Sequence, residues 1–158
     1  MLPRFKADDE DGLKWDDLAD GAATILGLAR ICSRSLSQRD PPEIELSLES
    51  KAILFAAKDR GVIEILGKKN AFDSVDRFVS VHVEYEPDHF LAFKRKEDPE
   101  QTIRFVEGFR RLCFGGHVMH QMLREFSLTI NGFELARTLN ADEVQPKLDF
   151  AVESGHQF

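Results

Sequence analysis

The chain predicts an α+β fold, mostly helical, and three observations carry that expectation. Apolar residues recur at helical spacing over long stretches, above all from Trp15 to Leu36. A short β-branched run, Val62 to Leu66, lies between Gly61 and Gly67 as a strand would. Asp98-Pro99-Glu100-Gln101 opens a helix that Gly115-Gly116 closes. At 158 residues, 42% hydrophobic and 31% charged, the chain is about one globular domain in length and is neither collagen-like nor intrinsically disordered in composition.

Residues 1–12 are polar and acidic without periodicity, and are expected to be disordered. One domain over 13–140 follows, then a loosely ordered tail over 141–158. The domain begins with a helix over 15–37. Trp15, Leu18, Ala22, Ile25, Ala29, Cys32 and Leu36 alternate in steps of 3 and 4, the rhythm of helix packed on helix. Such a stripe serves the helix's own domain or a second copy equally well. The second use makes these seven residues a candidate homodimer interface, with Ala22 and Ala29 allowing close backbone approach.

Ser47 to Arg60 reads as a second helix, apolar almost all round from Ala52 to Ala57 and therefore central and buried, with Gly61 closing it. Val62 to Leu66 is its following strand. Residues 71–85 satisfy two periods. Phe72, Val75, Val79 and Val83 share a helical face behind an Asn70 cap, while Val79, Val81, Val83 and Tyr85 alternate as a strand does. The helical phase is taken through Phe78 and carried on through 79–85. Pro87-Asp88 makes a turn, and His89 to Lys96 a short strand. The helix from Asp98 to Phe114 buries Ile103, Phe105, Val106, Phe109, Leu112 and Cys113. Residues 117–129 fit two strands, although Met119, Met122, Leu123 and Phe126 are also spaced for a helix. Thr129 then caps a closing helix, Ile130 to Leu139.

Gly115-Gly116-His117-Val118 followed by Phe126-Ser127-Leu128-Thr129-Ile130-Asn131-Gly132, with Leu135-Ala136 beyond, resembles the wing and closing helix of winged helix-turn-helix domains. The resemblance covers residues 47–139 and implies a winged-helix-like core, with the N-terminal helix added for packing or dimerisation. In that family the helix before the wing enters the DNA major groove. The resemblance therefore implies a recognition helix over 98–114, with Gln101, Arg104, Gly108 and Arg111 facing outward beside Arg110. The family joins its second and third helices by a tight turn, whereas this chain inserts Glu86 to Glu97.

Formal charge is −7, yet residues 94–124 carry seven basic side chains against four acidic ones. Arg104, Arg110, Arg111 and Arg124 are accordingly the candidate nucleic-acid contacts, for weak and salt-dependent binding. Glu100 and Glu107 stand four residues before Arg104 and Arg111, where each can pair with its arginine instead. Thirteen Phe against one Tyr and one Trp point to a Phe-rich core rather than a base-stacking surface.

The residues carry no catalytic, metal-binding or cofactor pattern. Cys113, His117 and His120 have ligand-like spacing, but Gly115-Gly116 interrupts it and no fourth ligand is near. His82 and His89 flank the turn beside Glu84 without a nucleophile. Met119 and Met122 read as core. Cys32 and Cys113 read as free thiols of a reducing compartment, and no apolar run approaches the roughly 20 residues that span a bilayer. The expectation is a cytoplasmic, non-catalytic interaction or regulatory module without cofactor, a homodimer with a protein partner or DNA and no membrane. DNA-binding regulator and enzyme with an unrecognised site stand as alternatives.

Overall fold

The computed structural model describes residues 21–38 and 43–155. Its elements are α1 (Ala22–Ser37), α2 (Leu48–Ala57), β1 (Val62–Leu66), β2 (Ser80–Glu86), β3 (His89–Ala92), α3 (Pro99–Phe114), β4 (Val118–Met122), β5 (Glu125–Leu128), α4 (Ile130–Thr138), α5 (Ala141–Leu148) and β6 (Val152–Gly155). The strands form one antiparallel sheet in the order β4-β5-β1-β2-β3-β6.

Register decides which side chains meet the helices. Ile63 lies opposite Val83 and Phe126, and Glu64 opposite His82 and Glu125. Directly opposed residues share a face. One face therefore presents Ile63, Ile65, Val81, Val83 and Phe126 to the helices, all fully buried. The other presents Glu64, Leu66, His82 and Ala92.

The core between sheet and helices is Phe-rich, as the composition implies. Phe93 stacks on Phe105 at 4.5 Å, Phe105 on Phe150 at 5.4 Å, and Phe109 meets Phe126 edge-on at 5.1 Å. Helix α2 starts at Ser47, whose side chain accepts from the Ser50 amide, and buries Ala52, Ile53, Leu54 and Ala57 completely. Gly61 follows with φ 71°, a conformation that favours glycine, and the tip of the Phe133 ring packs against its bare Cα. Asp98 caps α3 through the Gln101 amide at 3.1 Å with Pro99 in the first turn.

The helix expected over 71–85 is not formed. Residues 75–77 make a single 3-10 turn, and Ser80–Glu86 is a central strand paired with β1 and β3. Both periods were present locally. Two neighbouring strands decide for the extended form, because helix would leave Val81 and Val83 without their partners Ile65 and Ile63. The element order is thus helix, strand, strand, strand, helix, strand, strand, helix from α2 to α4. That differs from the expected order at the hairpin β2–β3.

The tail over 141–158 is also not loose as far as it is described. Asn140 caps α5 through the Asp142 amide, Val144 is fully buried, and β6 pairs with β3. Lys51 to Glu143 at 2.9 Å and Lys147 to Glu49 at 3.3 Å tie α5 to α2. Arg95 closes the end of α5 by donating to the carbonyls of Phe150 and Asp149.

Candidate functional site

The expected interfaces are placed first by their packing. Trp15 and Leu18 lie outside the described residues. In α1 the buried face is Leu28, Cys32 and Ser35, with Ile25 and Ile31 packed beside it. Ser35 donates to the Cys113 carbonyl at 2.7 Å, which fixes α1 against the end of α3. Ile25 and Cys32 therefore serve the protein's own core. Ala22 and Ala29 are half-buried, and Leu36 is 52% exposed.

Helix α3 carries Arg104, Arg110 and Arg111 on its outer side. Arg104 pairs with Glu100 at 3.4 Å, Arg110 with Glu107 at 3.0 Å, and Arg111 donates to the Glu45 carbonyl at 3.0 Å. Arg110 also lies 4.8 Å over the Phe114 ring. Gly108, expected on the outward face, is instead buried where α3 crosses α2. Its carbonyl accepts from Ser50, and a Cβ would approach the Ser50 amide nitrogen to 2.9 Å. Ile103, expected inside, is exposed. Arg124 is not with the other three arginines. It sits in the β4–β5 turn beside Glu64, on the sheet face turned away from the helices.

Cys113, His117 and His120 are not brought together. Cys113 is buried against Cys32, and burial followed by that neighbouring thiol pushes its pKa well up. His120 bonds the Leu123 carbonyl at 2.6 Å. His117 lies over Gly115, and burial lowers its pKa. No group of three His, Cys, Asp or Glu side chains placed to hold a metal occurs among the described residues. His82 bonds Ser80 at 2.9 Å, while Glu84 is held by Arg60 at 3.1 Å and by the Asp88 amide, so the candidate histidine–glutamate pair is otherwise engaged.

What the structure assembles instead is a cavity of about 540 Å³ on the sheet face away from the helices. It is lined by Leu66, Lys68, Lys94, Lys96, Arg124, Asp76 and Glu153 over the buried Phe90 and Ala92. The 67–79 segment forms one wall. Lys94 holds that wall by donating from Nζ to the carbonyls of Asp76 and Phe78, and burial lowers its pKa. Lys68 to Asp76 at 3.6 Å and Lys96 to Asp73 at 3.4 Å are longer, more exposed pairs.

The same end of the sheet carries three exposed apolar side chains. Phe72 in the 67–79 segment is 105% exposed, and Leu123 in the β4–β5 turn and Met122 at the end of β4 are 81% and 65% exposed. Met122 is thus at the surface rather than in the core. Leu123 adopts φ 49° to close a hairpin that has no glycine or asparagine. Comparison with known proteins finds no family model, no curated protein and no solved structure that matches this chain. No helix among the described residues is long and apolar enough to cross a membrane.

Proposed function

We propose that this chain is a non-catalytic interaction module that docks a protein partner through the sheet end bearing Phe72, Met122 and Leu123. The observation that carries this reading is Phe72. A phenylalanine held fully in water forgoes the roughly 1.5 to 3 kcal/mol its burial would contribute, and two further exposed apolar side chains, Met122 and Leu123, stand where β4 turns into β5 at the same sheet end. Lys68 and Lys69 precede Phe72 in its segment, and Arg124 follows Leu123 in the β4–β5 turn. The partner surface that fits is an apolar pocket with an acidic border. A winged-helix-like scaffold with β4–β5 as its wing is part of this proposal, and what supports it is the order helix, strand, strand, helix over α3, β4, β5 and α4 with Thr129 capping α4.

The test is retention of a partner by tagged full-length protein from cell extract, comparing wild type with Phe72→Ser/Met122→Ser/Leu123→Ser. All three positions are exposed, so circular dichroism should be unchanged while retention is lost. Equal retention by the triple variant would contradict the reading.

A homodimer through α1 belongs to the same proposal, with its contact moved to the outward side of the helix. Leu36 supports it, as an apolar side chain left half in water one turn from Cys32. Leu36→Glu should halve the mass seen by light scattering, and a monomeric wild type would remove the dimer.

The second reading, weak DNA binding, draws on the exposure of Arg104 and Arg110 along α3. It requires affinity that falls steeply with added salt, because phosphate contacts release counterions. Binding that ignores salt would exclude it.

A further inference from the structure

Cys32 of α1 and Cys113 of α3 are the two cysteines of the chain, and the fold sets them against each other in the core. We infer that they are a redox pair, which a low-molecular disulfide such as oxidised glutathione joins into an intramolecular disulfide that locks α1 onto α3. The pair uses neither Phe72 nor Met122 nor Leu123 and stands independently of partner docking.

Packing brings the two thiols together. Ser35 donates from Oγ to the Cys113 carbonyl at 2.7 Å and lies 3.1 Å from the Phe114 carbonyl, so one short side chain spans the gap between the helices. Cys32 sits one turn before Ser35 on the same buried face of α1, and its thiol is a hydrogen-bonding neighbour of the Cys113 thiol. The two residues are 1% and 0% exposed. A close helix crossing at small side chains is what a disulfide needs, since its Cα atoms must lie within about 7 Å.

Burial decides when the pair reacts. The thiolate is the attacking form, and burial, followed by the neighbouring Cys32, raises the Cys113 pKa, so the closed core reacts slowly. Access comes through α1, which is held on α3 and β4 by side-chain packing and the Ser35 bonds rather than by strand pairing. When α1 lifts, Cys32 gives its proton to water, and its thiolate attacks one sulfur of oxidised glutathione. That step forms a mixed disulfide and releases one glutathione thiolate. As α1 returns, the Cys113 thiolate attacks the Cys32 sulfur and releases the second. Two protein thiols thereby lose two protons and two electrons, and oxidised glutathione becomes two molecules of the reduced form. The new bond closes residues 32–113 into one loop, which constrains the unfolded chain and so favours the fold.

The experiment equilibrates the full chain in a buffer of oxidised and reduced glutathione, first unfolded in urea so that both thiols are open, then refolded. Free thiols are blocked and the unreduced digest is mapped by mass spectrometry. The tryptic peptides 31–34 and 112–124 should be found joined, and the ratio of disulfide to dithiol should be about tenfold or more higher in the refolded protein than in urea. The oxidised protein should melt at a higher temperature than the reduced one, and dithiothreitol should remove the difference. Cys32→Ala should show no such response. Starting from folded protein, the rate should rise with urea below the unfolding transition, as α1 lifts more often. Glutathione mixed disulfides or intermolecular dimers in place of the joined peptides would overturn the inference. So would a ratio no higher on folding, a lower melting temperature for the oxidised form, or a rate that ignores urea.

Discussion

Replacing Thr129 by alanine should destabilise the protein by about 2 kcal/mol, because this one hydroxyl makes two bonds that join α4 to the turn after α3. Its Oγ1 accepts from the Gly132 amide at 3.1 Å, capping α4, and donates to the Gly116 carbonyl at 2.7 Å, holding the turn after α3. Loss of an N-cap costs about 1 kcal/mol, and loss of an intramolecular hydrogen bond to a half-buried carbonyl contributes a further ~1. The Thr129 amide keeps its bond to the His117 carbonyl in either case, so the chain path should not change. Urea unfolding followed by far-UV circular dichroism is the assay. With a slope of roughly 1 to 3 kcal/mol/M, the midpoint should fall by on the order of 1 M with the slope unchanged. Thr129→Ser keeps the hydroxyl and should recover most of the loss. A midpoint within error of wild type for the alanine variant, or equal damage from serine, would refute the reasoning.

Phe126→Ala removes a fully buried ring that meets Phe109 edge-on, and should lower stability by about 3 to 5 kcal/mol in the same assay. Gly132→Ala places a Cβ 2.1 Å from the His117 carbonyl oxygen, a backbone atom unable to step aside, so its melting temperature should drop further than that of Thr129→Ala. His117 predicts a pH effect. Burial lowers its pKa below the ordinary 6.5, so the unfolded chain takes up a proton that the folded chain refuses. Stability is therefore full above pH 6.5 and declines as the pH falls from there toward the folded value. Urea midpoints on either side of 6.5 should show that decline, and His117→Gln should flatten it.

The Thr129 cap and the Asp98-Pro99 start were legible in the sequence because each is a local fact. A capping side chain bonds an amide two or three residues on, and no distant partner is needed. Strand β2 was not legible. Val79, Val81 and Val83 satisfy a strand, and Val75, Val79 and Val83 a helix, and only pairing with Ile63 and Ile65 of β1 separates them. The order in α5 has a local signal in Asn140 followed by Asp142 and Glu143, with Pro146 inside the helix as a signal against it. Gly108 shows the same limit from the other side, since a glycine on a helix marks either a bare surface or a close crossing, and Ser50 settles it as the crossing. The cavity lay wholly beyond the sequence. Lys68, Lys94, Arg124 and Glu153 come from four separate segments, and only the strand order brings them to one face. The basic run read as one polyanion-facing surface is in fact divided between that face and α3.

Site-specific photocrosslinking at position 72 tests the central claim most directly, because it reports contact at one side chain in the intact protein. With a photoreactive phenylalanine analogue in place of Phe72, the account predicts a discrete heterologous adduct that is lost when Met122 and Leu123 are replaced by serine. The same analogue at the exposed Glu134 of α4 should give none. Equal labelling at the two positions, or no adduct at position 72, would contradict the assignment of this sheet end as the docking surface.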